Sequence, residues 1–186
     1  MKKIVIFLLV MMLLVGCRRN NDAFDRAMSL RTDLLNANGC SFNATVSAEF
    51  SDKTYTFALF CQSDKDGNLT FEVLQPSYIS GIKGSISSAA GKLVFDDTAL
   101  TFPLQTEGVI SPISGPWVLL QALSGGYVHH CGQEEEYLRL TVDDSYEEDA
   151  LRLDVWINSK NQPVQADIYE NNRRILTLSI SDYQLL

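Results

Sequence analysis

Residues 151–183 read LRLDVWINSKNQPVQADIYENNRRILTLSISDY and carry the clearest folding signal in the chain. Apolar and polar residues alternate in three short runs, which is the pattern of half-buried β-strands. Turn-forming residues at 158–162 and 171–172 separate the runs. The stretch therefore predicts a three-stranded antiparallel meander with one buried face. The apolar residues of the meander are Leu151, Leu153, Val155, Ile157, Val164, Ala166, Ile168, Leu176, Leu178 and Ile180.

The same alternation fills most of the chain before residue 151. It runs through 42–50, turns at Ser51-Asp52, and continues through 55–61. The dipeptide Asp66-Gly67 is a strong hairpin signal, and 69–73 follows it as a strand. Together with the C-terminal meander, the pattern predicts about eleven strands. The remaining strand candidates are 79–87, 91–95, 98–104, 126–131 and 136–142.

Two segments show helical signals. The first is 23–38, where Asp22 is the expected N-cap and Gly39 the residue after the last turn. The second is 115–123, with Pro116 in the first turn and Gly125 at the far end. The apolar stripe predicted for the first helix consists of Phe24, Ala27, Met28, Leu34 and Leu35.

The strands have one apolar and one polar face, and two helices are too few to cover eleven strands. We therefore predict a mainly β (α+β) fold: a strongly curved antiparallel sheet of about eleven strands, with helices plugging its concave face. Such an arrangement tends to leave an apolar cavity. The apolar faces of the strands and the second helix predict that this cavity is lined by Phe57, Leu59, Phe71, Val73, Trp117, Leu120, Leu153, Val155, Ile168 and Leu178.

Composition narrows the class of protein. The chain has 186 residues and a formal net charge of -8; without the first sixteen residues it has 13 basic and 23 acidic residues and a charge of -10. The 46% of hydrophobic residues are too many for a disordered chain. The excess of acidic over basic residues argues against nucleic-acid binding, because such binding uses a basic surface.

The N-terminus has the form of a targeting segment. Lys2 and Lys3 precede an apolar run over 4–15, which is too short to span a bilayer comfortably. The following Leu14-Val15-Gly16-Cys17 resembles the lipobox of bacterial lipoproteins. This resemblance implies a signal peptide over 1–16, diacylation of Cys17, a tether over 17–22 and one domain over 23–186. The protein is then extracytoplasmic and lipid-anchored to the cell membrane, or to the outer membrane in a Gram-negative host. The alternative is an ordinary signal peptide with a chance cysteine.

Three cysteines remain after Cys17, which permits one disulfide and one free thiol, or none. A two-residue turn at 51–52 places Phe42 opposite Cys61, so Cys40 becomes a diagonal neighbour of Cys61. A Cys40–Cys61 bridge then needs a bulge or a register slip. We expect this pair over any pair with Cys131, and the unbridged state stays open.

No pattern in the sequence points to catalysis, to a metal or to a cofactor. His129 and Cys131 could converge on one face of a strand, but a third ligand is missing. The acidic residues within 134–149 do not follow the spacing of a calcium loop and are interpreted as a solvated edge. Serine-nucleophile, zinc-protease and phosphate-loop motifs do not occur. We therefore expect a protein that is not an enzyme.

The order of these features resembles the LolA/LolB lipoprotein-carrier superfamily. The best-matching stretches are 151–157, 163–169 after Pro163, and 175–183, which resemble the family's closing strands. The resemblance implies an open β-barrel with a helical lid that holds acyl chains, so a membrane-anchored lipid or acyl-chain carrier is expected. Because some relatives bind other proteins, the alternative is a non-enzymatic interaction or regulatory lipoprotein with an envelope partner. The turns at 51–52, 64–67 and 158–160 are polar, unlike the apolar loop tip of the family's outer-membrane receptor.

Overall fold

The structure is a computed structural model that describes residues 19–50, 53–88, 90–95, 98–103, 105–106, 109–147 and 150–186. The signal peptide and Cys17 predicted from the sequence lie outside these residues, as does the turn at Ser51-Asp52. Within them, two α-helices and two short 3-10 helices accompany thirteen strands. The helices are α1 (Arg19–Asn36), η1 (Ser77–Ile79), η2 (Pro112–Ser114) and α2 (Gly115–Gly125).

Eleven strands form one antiparallel sheet, as the sequence predicts. The first meander comprises β1 (Cys40–Phe50), β2 (Lys53–Ser63), β3 (Leu69–Gln75), β4 (Lys83–Ile86), β5 (Gly91–Phe95) and β6 (Thr98–Phe102). The second comprises β9 (Tyr127–Glu134), β10 (Tyr137–Asp143), β11 (Arg152–Ile157), β12 (Pro163–Glu170) and β13 (Arg173–Leu185). The strands β7 (Gln105–Thr106) and β8 (Val109–Ile110) form a separate small pair.

The two meanders join along β1 and β13, which gives the strand order β6-β5-β4-β3-β2-β1-β13-β12-β11-β10-β9. Because β6 and β9 are the two edges and do not pair with each other, the barrel is open, as predicted. The chain crosses from one edge to the other through β7, β8, η2 and α2. The predicted register of the first hairpin is confirmed, with Phe42 opposite Cys61 and Phe50 opposite Lys53.

The helix α1 differs from its prediction. It begins at Arg19, so Asp22 lies in its first turn and is not the N-cap. Its buried contacts come from Ala27 and Leu30, whereas Phe24 and Leu35 are exposed. The reason is that only a narrow stripe of this helix faces the sheet, and two apolar residues of the predicted stripe fall on its flanks. Ala23, Met28 and Leu34 pack at the border of the core.

Gly39 links α1 to β1 in a way that requires glycine. Its φ of +135° lies outside the left-handed helical region expected of a residue after the last helical turn. A Cβ atom at this position would overlap the backbone carbonyl of Ser63. The residue is therefore needed for a close approach between two segments of backbone.

The strand candidate 79–87 is shorter than predicted. The strand β4 covers only Lys83–Ile86, because the chain first forms the 3-10 turn η1.

The helix α2 agrees with its prediction and ends at Gly125, with Pro116 in its first turn. At the last hairpin, Asn171 and Asn172 both have positive φ, which suits the right-handed twist of a two-residue turn.

Candidate functional site

An apolar groove of about 380 Å³ lies on the concave face of the first meander. Four of the residues that line it lie on strands: Phe57 of β2, Val73 of β3, Leu93 of β5 and Phe102 of β6. The remaining described lining residues are Ile79 of η1 and the segment Ser111, Pro112 and Ile113 that precedes α2. None of the described residues that line the groove is charged, and Ser111 supplies the polar side chain. The groove can therefore exclude water from a hydrocarbon group but offers few hydrogen bonds.

In the first meander, two phenylalanine rings lie against glycines of the neighbouring strand. Phe102 is the direct partner of Gly91, and Phe71 is the direct partner of Gly84. A Cβ atom at either glycine would overlap the facing ring. Because glycine carries no side chain, each ring can lie against the strand opposite. Phe102 lines the groove, whereas Phe71 is buried with 3% of its surface exposed.

The lining predicted from the sequence divides into two groups. Phe57 and Val73 line the groove. The other strand residues of the set lie in a packed core that also contains buried residues of α1 and α2. The helix α2 packs against β10 and β13, which fills the concave face of the second meander. The predicted residues in this packed core are Leu59, Phe71, Leu153, Val155, Ile168 and Leu178.

Trp117 and Leu120 belong to α2 and do not line the groove. Leu120 is buried in the core. The indole Nε1 of Trp117 donates a hydrogen bond to the carbonyl of Gly67 at 3.1 Å, and Gln121 Nε2 approaches the same oxygen at 3.4 Å. These bonds attach the β2–β3 turn to α2. The segment next to the groove is instead the stretch just before α2.

The groove residues missed by the sequence reasoning are Ile79, Leu93, Phe102, Ser111, Pro112 and Ile113. Leu93 and Phe102 lie in strand candidates whose parity places them on the same face as Phe71, so strand pairing could have identified them. Ile79 and the residues before α2 lie in irregular segments. Periodicity gives no signal for such residues, because their position depends on the tertiary fold.

A second, more polar cleft of about 220 Å³ lies between the end of α1, the β2–β3 turn and α2. Leu34, Leu120 and Gln121 contribute to its walls. Asp64 stands at its rim, but its carboxylate already accepts bonds from the backbone N–H groups of Asp66 and Asn68 and from the Asn68 side chain. The hydrogen bond from the Asn68 side chain, followed by the backbone bonds, lowers the pKa of Asp64. This carboxylate therefore stabilises the β2–β3 turn.

The outer face of the second meander carries a network of charged side chains. Asp154 and Asp167 are direct neighbours on β11 and β12 and are nearly buried. The Asp154 carboxylate accepts hydrogen bonds from Arg139 at 2.7 Å and from Thr141 at 2.6 Å. Among the described residues, Asp167 has only a long contact of 3.5 Å with Arg174, and its Oδ1 atom has no partner there. The buried carboxylate of Asp154 is therefore better satisfied by hydrogen bonds than that of Asp167.

The cysteines of the described residues are free thiols, so the expected Cys40–Cys61 bridge is not formed. The physical reason is that the β1–β2 register is regular and keeps the pair diagonal, without the bulge that a bridge would need. The Cys40 thiol instead lies 3.3 Å from the hydroxyl of Ser63. Burial raises the pKa of Cys40 and, with a further contribution from Cys40, the pKa of Cys61.

His129 and Cys131 are engaged separately. His129 Nε2 pairs with the carboxylate of Asp143, whereas the Cys131 thiol donates to the carbonyl of Ala23 at 3.1 Å. In the described part of the chain, no three His, Cys, Asp or Glu side chains are grouped in a way that could hold a metal ion.

Charge is distributed unevenly along the chain. Residues 53–103, which include most of the groove lining, carry four basic and five acidic residues. Residues 104–186 carry five basic and thirteen acidic residues. The groove thus belongs to the nearly neutral part of the sequence, and most of the negative charge lies on the second meander and its connections.

No helix within the described ranges is both long and apolar enough to cross a membrane. No family model matches the chain. A search of curated protein sequences likewise finds no match.

Several solved structures share the overall arrangement at low sequence identity. A LolA superfamily protein from Nitrosomonas europaea aligns at a TM-score of 0.45 and 11% identity, over 86% of this chain and 93% of that one. The lipoprotein LppX from Mycobacterium tuberculosis aligns at a TM-score of 0.41 and 11% identity, over 87% and 93% of the two chains. LprF from Mycobacterium bovis aligns at 0.41 and 9% identity, over 89% and 94%. These likenesses concern the fold alone: the chain is similar to LolA-like lipoproteins in the architecture that its own strand order defines.

Proposed function

We propose that this protein binds the hydrocarbon part of a lipid in the apolar groove. The observation that carries the proposal is the groove itself: about 380 Å³ of space whose described walls are uncharged and mostly aromatic or aliphatic. This volume falls within the range of about 300–1,000 Å³ that is usual for small-molecule sites. Each methylene transferred from water to such walls contributes about 0.8 kcal/mol. Binding and release need no covalent chemistry.

The place of action in this proposal is the outer side of a membrane. The lipobox-like Leu14-Val15-Gly16-Cys17 supports acylation of Cys17, and two acyl chains are enough for stable anchoring. The domain then works while tethered to the bilayer. Replacing Cys17 with Ser should give an unprocessed or soluble form, detected by fractionation and by the mass of the N-terminal peptide. Normal processing together with unchanged membrane partitioning would contradict the anchor.

Lipid binding is tested by two neighbouring substitutions on β5. Leu93 lines the groove, whereas Val94 points to the opposite face of the same strand and is 39% exposed. A glutamate at Leu93 places a charge among apolar walls, so Leu93→Glu should abolish binding of parinaric acid, a fluorescent polyene fatty acid. Val94→Glu should leave binding unchanged. Equal binding by both variants would contradict the proposed site.

The alternative function is that of an interaction module for an envelope protein. The observation that favours it is the outer face of the second meander, where Arg139 stacks on Trp156 at 5.5 Å from the ring centroid and joins Asp154. Trp and Arg are frequent in the energetic centres of protein interfaces. A partner bound on this face would tolerate Leu93→Glu and would be lost on Trp156→Ala. The two functions therefore respond to different variants.

A further inference from the structure

We infer that the groove holds one hydrocarbon chain, and that Phe71 and Phe102 set the limit on its size. The inference rests on the proposed function and specifies its ligand: a single alkyl chain enters and the polar head group stays outside. Three features of the structure carry it, namely the two phenylalanine–glycine pairs, the packed core beside the groove and the chemistry of the groove lining.

The first limit is at the edge strand. Phe102 of β6 lies against Gly91 of β5, where a Cβ atom would occupy the place of the ring. The absence of a side chain at Gly91 lets the ring lie close to the sheet while it still lines the groove. The position of this wall therefore depends on the contact between Phe102 and Gly91.

The second limit separates the groove from the core. Val73 lines the groove, but Phe71, two residues earlier on the same face of β3, is almost fully buried. Its ring lies against Gly84, whose partner on the next strand is the groove residue Leu93. Beyond Phe71, Leu69 of β3 and its partner Ile86 of β4 have no exposed surface. The space for a ligand therefore ends at the Phe71 ring.

These limits decide how many chains fit. A volume of about 380 Å³ is near the lower end of small-molecule sites, so a second chain would have to displace packed core side chains. The described lining has no charged group to compensate a buried carboxylate or phosphate. Because burying an unpaired charge is very costly, the head group has to remain in water at the mouth of the groove.

The experiment measures displacement of parinaric acid from the full-length protein, purified from membranes and transferred from detergent to an amphipathic polymer. The competitors are saturated fatty acids of increasing length, and lysophosphatidylcholine beside phosphatidylcholine, which share a head group and differ in chain number. Affinity should rise by about fourfold for each added methylene until the groove is full and then stop rising. Phosphatidylcholine should compete no better than lysophosphatidylcholine.

Variants at the Phe102–Gly91 pair test the wall directly. We call the fatty-acid length at which affinity stops rising the plateau. Phe102→Ala should move this plateau to longer fatty acids. Gly91→Ala, which pushes the ring away from the sheet, should move it to shorter ones. Val94→Ala, on the outer face of the same sheet, is the control and should leave the plateau in place. Phe102→Leu is the milder replacement if circular dichroism shows that Phe102→Ala does not fold.

The outcomes separate the inference from the function on which it rests. If parinaric acid does not bind the wild-type protein, both are overturned. If it binds but affinity rises without a plateau, or phosphatidylcholine competes more than tenfold better than its single-chain form, the single-chain inference is overturned and lipid binding stands. A plateau that does not move in any folded Phe102 variant would likewise overturn the role of this ring.

Discussion

Phe71 of β3 and Gly84 of β4 are direct cross-strand partners, and the phenylalanine ring fills the space that a side chain at residue 84 would need. This contact lies where the packed core of the sheet meets the apolar groove. It therefore contributes both to stability and to the shape of the site. The same relationship recurs between Phe102 and Gly91 at the edge of the sheet.

A methyl group at Gly84 tests the importance of this contact for stability. Gly84→Ala should lower the free energy of unfolding by about 1–3 kcal/mol, because the buried Phe71 ring must leave its position. Urea denaturation followed by circular dichroism measures the effect. Ser85→Ala, at the next residue, is the control and should change stability by less than about 0.5 kcal/mol. Equal midpoints for the two variants would show that the ring adapts without cost.

Enlarging a side chain should have different consequences in the core and in the groove. An under-filled interior would accept Trp in place of Phe71, but the structure packs this residue on all sides, with 3% of its surface exposed. Phe71→Trp should therefore destabilise the protein by about 1–3 kcal/mol. Phe57→Trp, which projects into the groove, should cost less and should reduce fatty-acid binding. Denaturant melts and parinaric acid titrations of both variants decide the matter; the reverse order of stability would contradict the assignment of core and groove.

The thiols should differ in reactivity. Burial raises the pKa of Cys40 and Cys61 above the ordinary value, and both side chains are completely buried. Since the thiolate is the reactive form, alkylation of these two at pH 8 should require unfolding. Cys131 has a pKa raised by burial as well but is only partly buried, so it should react first. Mass spectrometry of peptides after timed iodoacetamide treatment checks the order, and early labelling of Cys61 would contradict it.

The two neighbouring aspartates on the outer face should respond differently to removal of charge. Asp154→Asn should cost about 1.5–3 kcal/mol, because it weakens charge-assisted bonds from both Arg139 and Thr141. Asp167→Asn should cost less, since within the described part of the chain its carboxylate has one long contact and one oxygen without a partner. Urea melts of the two variants at neutral pH compare them directly. A larger loss for Asp167→Asn would show that its contact with Arg174 is stronger than the distance indicates.

The local order of apolar and polar residues was sufficient to predict the sheet but not the residues that line the groove. Alternation in 151–183 predicted the strands β11, β12 and β13. Side chains on a strand point to opposite faces in turn, so the order of apolar and polar residues shows which face is buried. The first hairpin followed the same logic, and counting from its turn placed Phe42 opposite Cys61. The stripe predicted for α1 was wrong at Phe24 and Leu35, because these residues lie at the edges of an apolar face whose contacts depend on the sheet beneath.

What the sequence determined by itself is the sheet: its strands, the apolar face of each strand and the placement of a Pro-started helix between two meanders. What only the tertiary structure decided is where that apolar face is filled and where it is open. Leu153 and Phe57 are equivalent by parity, yet Leu153 is buried under the packed helices and Phe57 lines a groove. The physical reason is that alternation records which way a side chain points, whereas a cavity depends on which distant segment comes to lie above it. Here that segment is α2, which packs against β10 and β13 and leaves the face of the first meander to the residues just before it.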